Sequence, residues 1–164
     1  MRISITAALL LGLSASVVPV SAKTVPHHAT VAAEDPLTAM FVWWNAAYKQ
    51  KNGFTKESFE LHFTPDAVMR INGRDSAVGS QDLADHFQQI QKRTEAVAIE
   101  LPFIEKFWSA DHKRIFTYHV VTSRADGKDA RDLVMGYADI RGGKISLINF
   151  VSAEPAKPRP PGTK

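Results

Sequence analysis

The stretch from Lys113 to Ala153 constrains the fold of this chain more than any other. Three β-rich runs, Arg114 to Ser123, Arg131 to Ile140 and Lys144 to Val151, are separated by Asp126-Gly127-Lys128 and Arg141-Gly142-Gly143. Glycine in links this short supplies the positive φ that tight hairpins require, so the runs read as an antiparallel meander. Both alternating faces are apolar: Ile115, His119 and Val121 point one way, and Phe116, Tyr118 and Val120 the other. A sheet covered on one side alone would not need that. Helices from the first half are expected to cover one face, and another part of the fold or a second subunit part of the other.

The N-terminal segment stands apart from the fold. Arg2 gives a short basic start, Ile3 to Val18 is apolar, and Val20-Ser21-Ala22 places small residues where a signal peptidase cuts. The run is about 16 residues, below the roughly 20 needed to span a bilayer. Residues 1–22 therefore read as a signal peptide, with an uncleaved anchor as the alternative, and the product as periplasmic or secreted, free of the membrane after cleavage. Residues 23–34 read as a linker, residues 35–153 as one domain, and the Pro-rich residues 154–164 as a disordered tail.

Composition matters at two points. There is no cysteine, so the domain must stand on its core without disulfide staples. The net charge of +3 invites a nucleic-acid reading, but residues 35–153 carry 15 Lys and Arg against 15 Asp and Glu. The excess lies outside the domain, where a basic footprint would not belong, so nucleic acid is excluded as a partner. His27-His28 lacks a third ligand nearby. No metal-ligand spacing, nucleophile elbow or phosphate loop occurs, and no cofactor is implied.

Three helices precede the strands. Asp35 caps the first, Pro36 suits its first position, and Leu37, Met40, Phe41, Trp44, Ala47 and Tyr48 recur at helical spacing until Asn52-Gly53. Thr55 caps a second, shorter helix with Phe54 and Phe59 as a hydrophobic staple, and Thr64-Pro65 stops it. Ala67 to Ile71 reads as a brief strand closed by Asn72-Gly73. Ser80 caps the third helix, with Leu83, Phe87 and Ile90 on one face and Lys92-Arg93 at its end. Ala96 to Trp108 reads as extended, with Pro102 forcing a bulge or an edge. Helix, helix, strand, helix and four further strands make an α+β domain whose curved antiparallel sheet leaves a cavity under the helices.

That order, with Phe63-Thr64-Pro65-Asp66-Ala67-Val68, Gly79 before the third helix and Gly143-Lys144-Ile145 opening the last strand, resembles the nuclear transport factor 2-like superfamily and its SnoaL-like branch. The resemblance implies a cone-shaped fold, a pocket between the first helix and the concave face, and dimerisation through the outer face. It spans enzymes and noncatalytic members, so the chemistry rests on the pocket positions. Where ketosteroid isomerase has its carboxylate base, this chain offers Ile71, with Trp44 near an expected tyrosine. Where the epoxide hydrolase has acid, arginine and acid, the approximate matches are Val121, His119 and Phe150, and its water-holding polar residues resemble Met69 and Ile71. Both mechanisms lack their ionisable groups here.

His119 remains the candidate acid or base, since an unperturbed imidazole titrates near 6.5. A lone histidine among apolar neighbours is nevertheless more often a satisfied core residue. Trp44, Tyr48, Met69, Ile71, His119 and Tyr137 are the expected ligand-binding residues, whereas Asp126, Asp129, Asp132 and Asp139 read as solvated hairpin residues. Three functions follow: an exported module holding a small hydrophobic molecule; a SnoaL-like isomerase, cyclase or dehydratase using His119 with Tyr48 or Tyr137; or an assembly role, as a homodimer, through the outer sheet face.

Overall fold

A computed structural model describes residues 34–153. The expected signal peptide, nearly all of the expected linker, His27-His28 and the Pro-rich C-terminal residues lie outside the described residues.

The first helix, α1 (Pro36–Tyr48), starts where its chemistry dictates. The Asp35 carboxylate accepts from the backbone N–H groups of Leu37 at 3.1 Å and Thr38 at 2.9 Å, satisfying two of the donors a helix start leaves free. Its six striped residues, Leu37 to Tyr48, are all buried. In α2 (Lys56–Glu60), the Thr55 hydroxyl accepts from the Ser58 N–H and the Ser58 hydroxyl from the Thr55 N–H, a reciprocal capping box. Phe54 and Phe59 are fully buried with ring centroids 5.9 Å apart, which fixes the entry of the chain into α2.

The next strand is longer than the sequence suggests. β1 (Phe63–Ile71) already includes Phe63, Thr64 and Pro65, so Thr64-Pro65 lies in a strand instead of ending a helix. Pro65 is tolerated because the pairing of β1 with its neighbour is irregular between Phe63 and Val68. Asn72 and Gly73, both with positive φ, then turn the chain into β2 (Arg74–Val78), an additional strand. Only Ala77 of β2 is buried, so its sequence carries almost no apolar alternation. α3 (Gly79–Arg93) is preceded by Val78 with no side-chain cap. Ser80 is therefore not a cap: it lies inside the first turn, buried, with its hydroxyl unpartnered.

The extended region resolves into β3 (Ala96–Ile99) and β4 (Glu105–Trp108), both antiparallel to β5 (Arg114–Ala125), and interrupted at the cis Leu101-Pro102 peptide. β6 (Lys128–Arg141) and β7 (Lys144–Ala153) complete the meander through the two-residue turns Asp126-Gly127 and Gly142-Gly143, all four residues at positive φ. The strand order is β2-β1-β7-β6-β5-β3, with β4 also on β5. The expected antiparallel sheet is thus mixed, because β1 runs parallel to β7.

The sheet is curved and open, an α+β cone under three helices. Gly136, at φ +156°, sits in the middle of β6, where a Cβ would lie 2.1 Å from the Asn149 carbonyl oxygen and 2.8 Å from the Phe150 ring. Only glycine lets β7 approach this closely, and such glycines mark bends in a strand. The core joins α1 to the concave face and continues into an aromatic cluster of Trp43, Trp44, Phe54, Phe59 and Phe87, in which Phe59 and Phe87 stack at 5.6 Å.

Candidate functional site: an apolar cavity under the first helix

A cavity of about 370 Å³ lies between α1, α3 and the concave face of the sheet. Helix α1 contributes Met40, Phe41 and Trp44, β1 contributes Phe63, Met69 and Ile71, and α3 contributes Phe87 and Ile90. The sheet closes it with Val97, Ile99, His119, Val121, Val134, Ile148 and Phe150. The remaining polar lining is Ser76, His86, Asp132 and Ser152.

Parity explains the membership. Residues directly opposite on paired strands face the same side. His119 pairs with Val134 and Val121 with Asp132, so all four face inward. Asp132 is therefore not a solvated hairpin residue: it is half-buried in the cavity lining, where the Ser152 hydroxyl donates to its Oδ2 at 3.3 Å.

The expected ligand-binding residues separate into two groups. Trp44, Met69, Ile71 and His119 line the cavity together. Tyr48 does not: it stacks on Trp44 at 5.4 Å, and its hydroxyl hydrogen-bonds with Thr94, donating to the carbonyl at 3.1 Å or pairing with the hydroxyl at 2.7 Å. Tyr137 faces the opposite side of the sheet. It lies across from Phe116 with the Arg114 guanidinium 3.8 Å from its ring centroid, and its hydroxyl accepts from Asn149 Nδ2 at 3.0 Å. Neither tyrosine reaches the cavity to pair with His119.

His119 is 1% exposed and boxed in by Phe41, Phe103 and Phe150 at centroid distances of 5.3, 5.6 and 5.3 Å. Its Nδ1 has no hydrogen-bond partner among the described residues. Burial pushes the imidazole pKa down to about 4, so the ring is neutral at neutral pH. The pKa of His86 is also lowered, by burial first and by Arg93 second. The Trp44 indole N–H, on the same wall, is likewise buried without a partner. The cavity thus offers greasy walls, neutral imidazoles and one carboxylate. Among the described residues no three His, Cys, Asp or Glu side chains gather into a group that could hold a metal.

No family model and no curated protein matches this sequence. Solved structures do. An NTF2-like protein of unknown function from Exiguobacterium sp. aligns with a TM-score of 0.59 at 15% identity, over 74% of this chain and 99% of that one. A hypothetical protein with a ketosteroid isomerase-like fold from Catenulispora acidiphila, in complex with trimethylamine, gives 0.55 at 13% identity over 73% and 86%. A LEH-like epoxide hydrolase from M. tuberculosis gives 0.55 at 15% identity over 72% and 80%. Three helices on a curved, open, mixed sheet, aligned with these chains over most of its length, give this protein the nuclear transport factor 2-like fold.

Proposed function

We propose that the domain is an exported SnoaL-like binding module that holds a small hydrophobic molecule in the cavity beneath α1. One observation carries the reading. His119, Val121, Phe150, Met69 and Ile71, the positions where the enzymes of the resemblance carry their reacting or water-holding groups, all line the cavity, and the only titratable one among them is a neutral imidazole. The space suits the role, since ligand sites typically begin near 300 Å³. Burying roughly 200 Å² of apolar ligand surface is worth about 5 kcal/mol before the cost of association, which by itself supports affinities of roughly millimolar order. Similar solved structures lend the fold both uses: one holds trimethylamine and another is an epoxide hydrolase. Export rests on residues 1–22 of the sequence.

A thermal-shift and native mass spectrometry screen against neutral hydrophobic compounds tests the proposal. One-to-one adducts that raise the melting temperature are expected. A panel of ring compounds small enough for the cavity that yields no adduct and no shift refutes it.

A second reading concerns the other face of the sheet. Tyr118, Met135 and Val151 lie in one cross-strand row, and Phe107 and Phe116 stack at 4.9 Å in the next. Phe107, Met135 and Val151 are 57, 60 and 58% exposed, respectively. Contiguous exposed apolar surface of this kind favours a protein partner, and a second copy of this chain is the occupant the resemblance implies. Sedimentation velocity that finds only monomer at high micromolar concentration refutes this reading.

A further inference from the structure

We propose that the molecule held in the cavity is a hydrophobic amine whose ammonium group takes Asp132 as its counter-ion; the inference rests on the reading of the cavity as a ligand site. Asp132 is the one carboxylate in the lining, and no lysine or arginine lines the cavity among the described residues. Among the described residues its carboxylate accepts one hydrogen bond, from the Ser152 hydroxyl at 3.3 Å. A carboxylate has about four lone-pair sites, so most of the accepting capacity of Asp132 is open.

Two nearby arginines are paired elsewhere. Arg131 points to the other face of the strand and pairs with Glu100 at 3.7 Å, while Arg124 pairs with Glu95 at 3.0 Å and Asp129 at 3.2 Å. His86 and His119, the two imidazoles of the lining, are both pushed toward the neutral form by burial. Among the described residues the lining therefore sets one carboxylate against no lysine or arginine.

That imbalance selects the sign of the ligand. An anion would meet Asp132 with no lysine or arginine among the described lining residues to receive it. A cation gains a charge-assisted hydrogen bond there, while its hydrocarbon body enters the space between Trp44, Phe87 and Phe150, whose ring faces also tolerate positive charge.

The test compares three molecules of one shape at pH 7: cyclohexylmethylamine, cyclohexylmethanol and cyclohexanecarboxylate, each titrated into the wild-type protein and into Asp132→Asn. The amine should bind wild type about tenfold more tightly than the alcohol, with the carboxylate weakest. Added salt should weaken the amine and leave the alcohol unchanged, a readout that needs no variant. Asp132→Asn should bring the amine to within about twofold of the alcohol. If the alcohol binds and the amine binds no better, the inference falls and the apolar-ligand reading stands. If Asp132→Asn weakens amine and alcohol alike, the carboxylate is not the counter-ion. If none of the three binds, the inference and the cavity reading fall together.

Discussion

The ring of His119 lies 5.3 Å from that of Phe41, on the wall where α1 meets the concave face of β5. An imidazole packed against aromatic rings, with Nδ1 unpartnered, resists protonation, because the charged form would lose its water without gaining an acceptor.

A pH dependence of stability follows. The unfolded chain protonates this histidine near its ordinary 6.5 and the folded chain only near about 4. The contribution of His119 is thus fully present above pH 6.5 and is lost as the pH falls toward 4, by up to roughly 3 kcal/mol. Urea denaturation of wild type and His119→Leu at pH 7 and pH 4.5 checks this. Wild type should lose about 2 kcal/mol more than the variant over that interval. Equal losses would show that His119 is protonated as readily in the folded chain as in the unfolded one. His62 and His86, whose pKa values are also lowered, remain in both proteins and cancel in the comparison.

Gly136 tests the curvature of the sheet. Gly136→Ala should cost about 2 kcal/mol or more, because the new Cβ meets backbone in β7. Gly127→Ala should cost only about 1 kcal/mol, since its turn requires positive φ but leaves open space around the Cβ. Denaturation midpoints that rank the two variants the other way would mean that β6 and β7 do not approach as described.

The outer face makes a separate prediction. The wild-type protein should sediment as a dimer at micromolar concentration, and Met135→Lys, which puts a charge in the middle of the exposed row, as a monomer with little change in melting temperature. An unchanged dimer would place the interface elsewhere.

Much of this architecture was legible in the chain, and the misplacements have definite physical causes. Asp35, Pro36 and the stripe from Leu37 to Tyr48 predict α1 because cap and periodicity agree. The two-residue turn at Asp126-Gly127 pairs Ala125 with Lys128, and counting from it pairs Val121 with Asp132 and Phe116 with Tyr137. That count sends Asp132 inward beside His119 and Tyr137 outward beside Phe116. Alternation alone fails in β6, where Leu133, Met135 and Tyr137 on one face are as apolar as Val134, Ala138 and Ile140 on the other. β2 escapes notice for the opposite reason: one buried alanine beside three polar residues and an exposed valine gives no alternation. The parallel pairing of β1 with β7 is a tertiary relationship that no local sequence signal carries.

The central claim is that the cavity beneath α1 takes up a small apolar molecule, and isothermal titration calorimetry tests it most directly. Titrating a neutral ring compound such as cyclohexylmethanol into wild type and into Ile71→Trp, which fills the space from β1, should give saturable one-to-one binding with a negative heat-capacity change in the first. Binding should be at least about tenfold weaker in the second. Equal binding by both proteins, or no binding by wild type to any ring compound that fits about 370 Å³, would contradict the account.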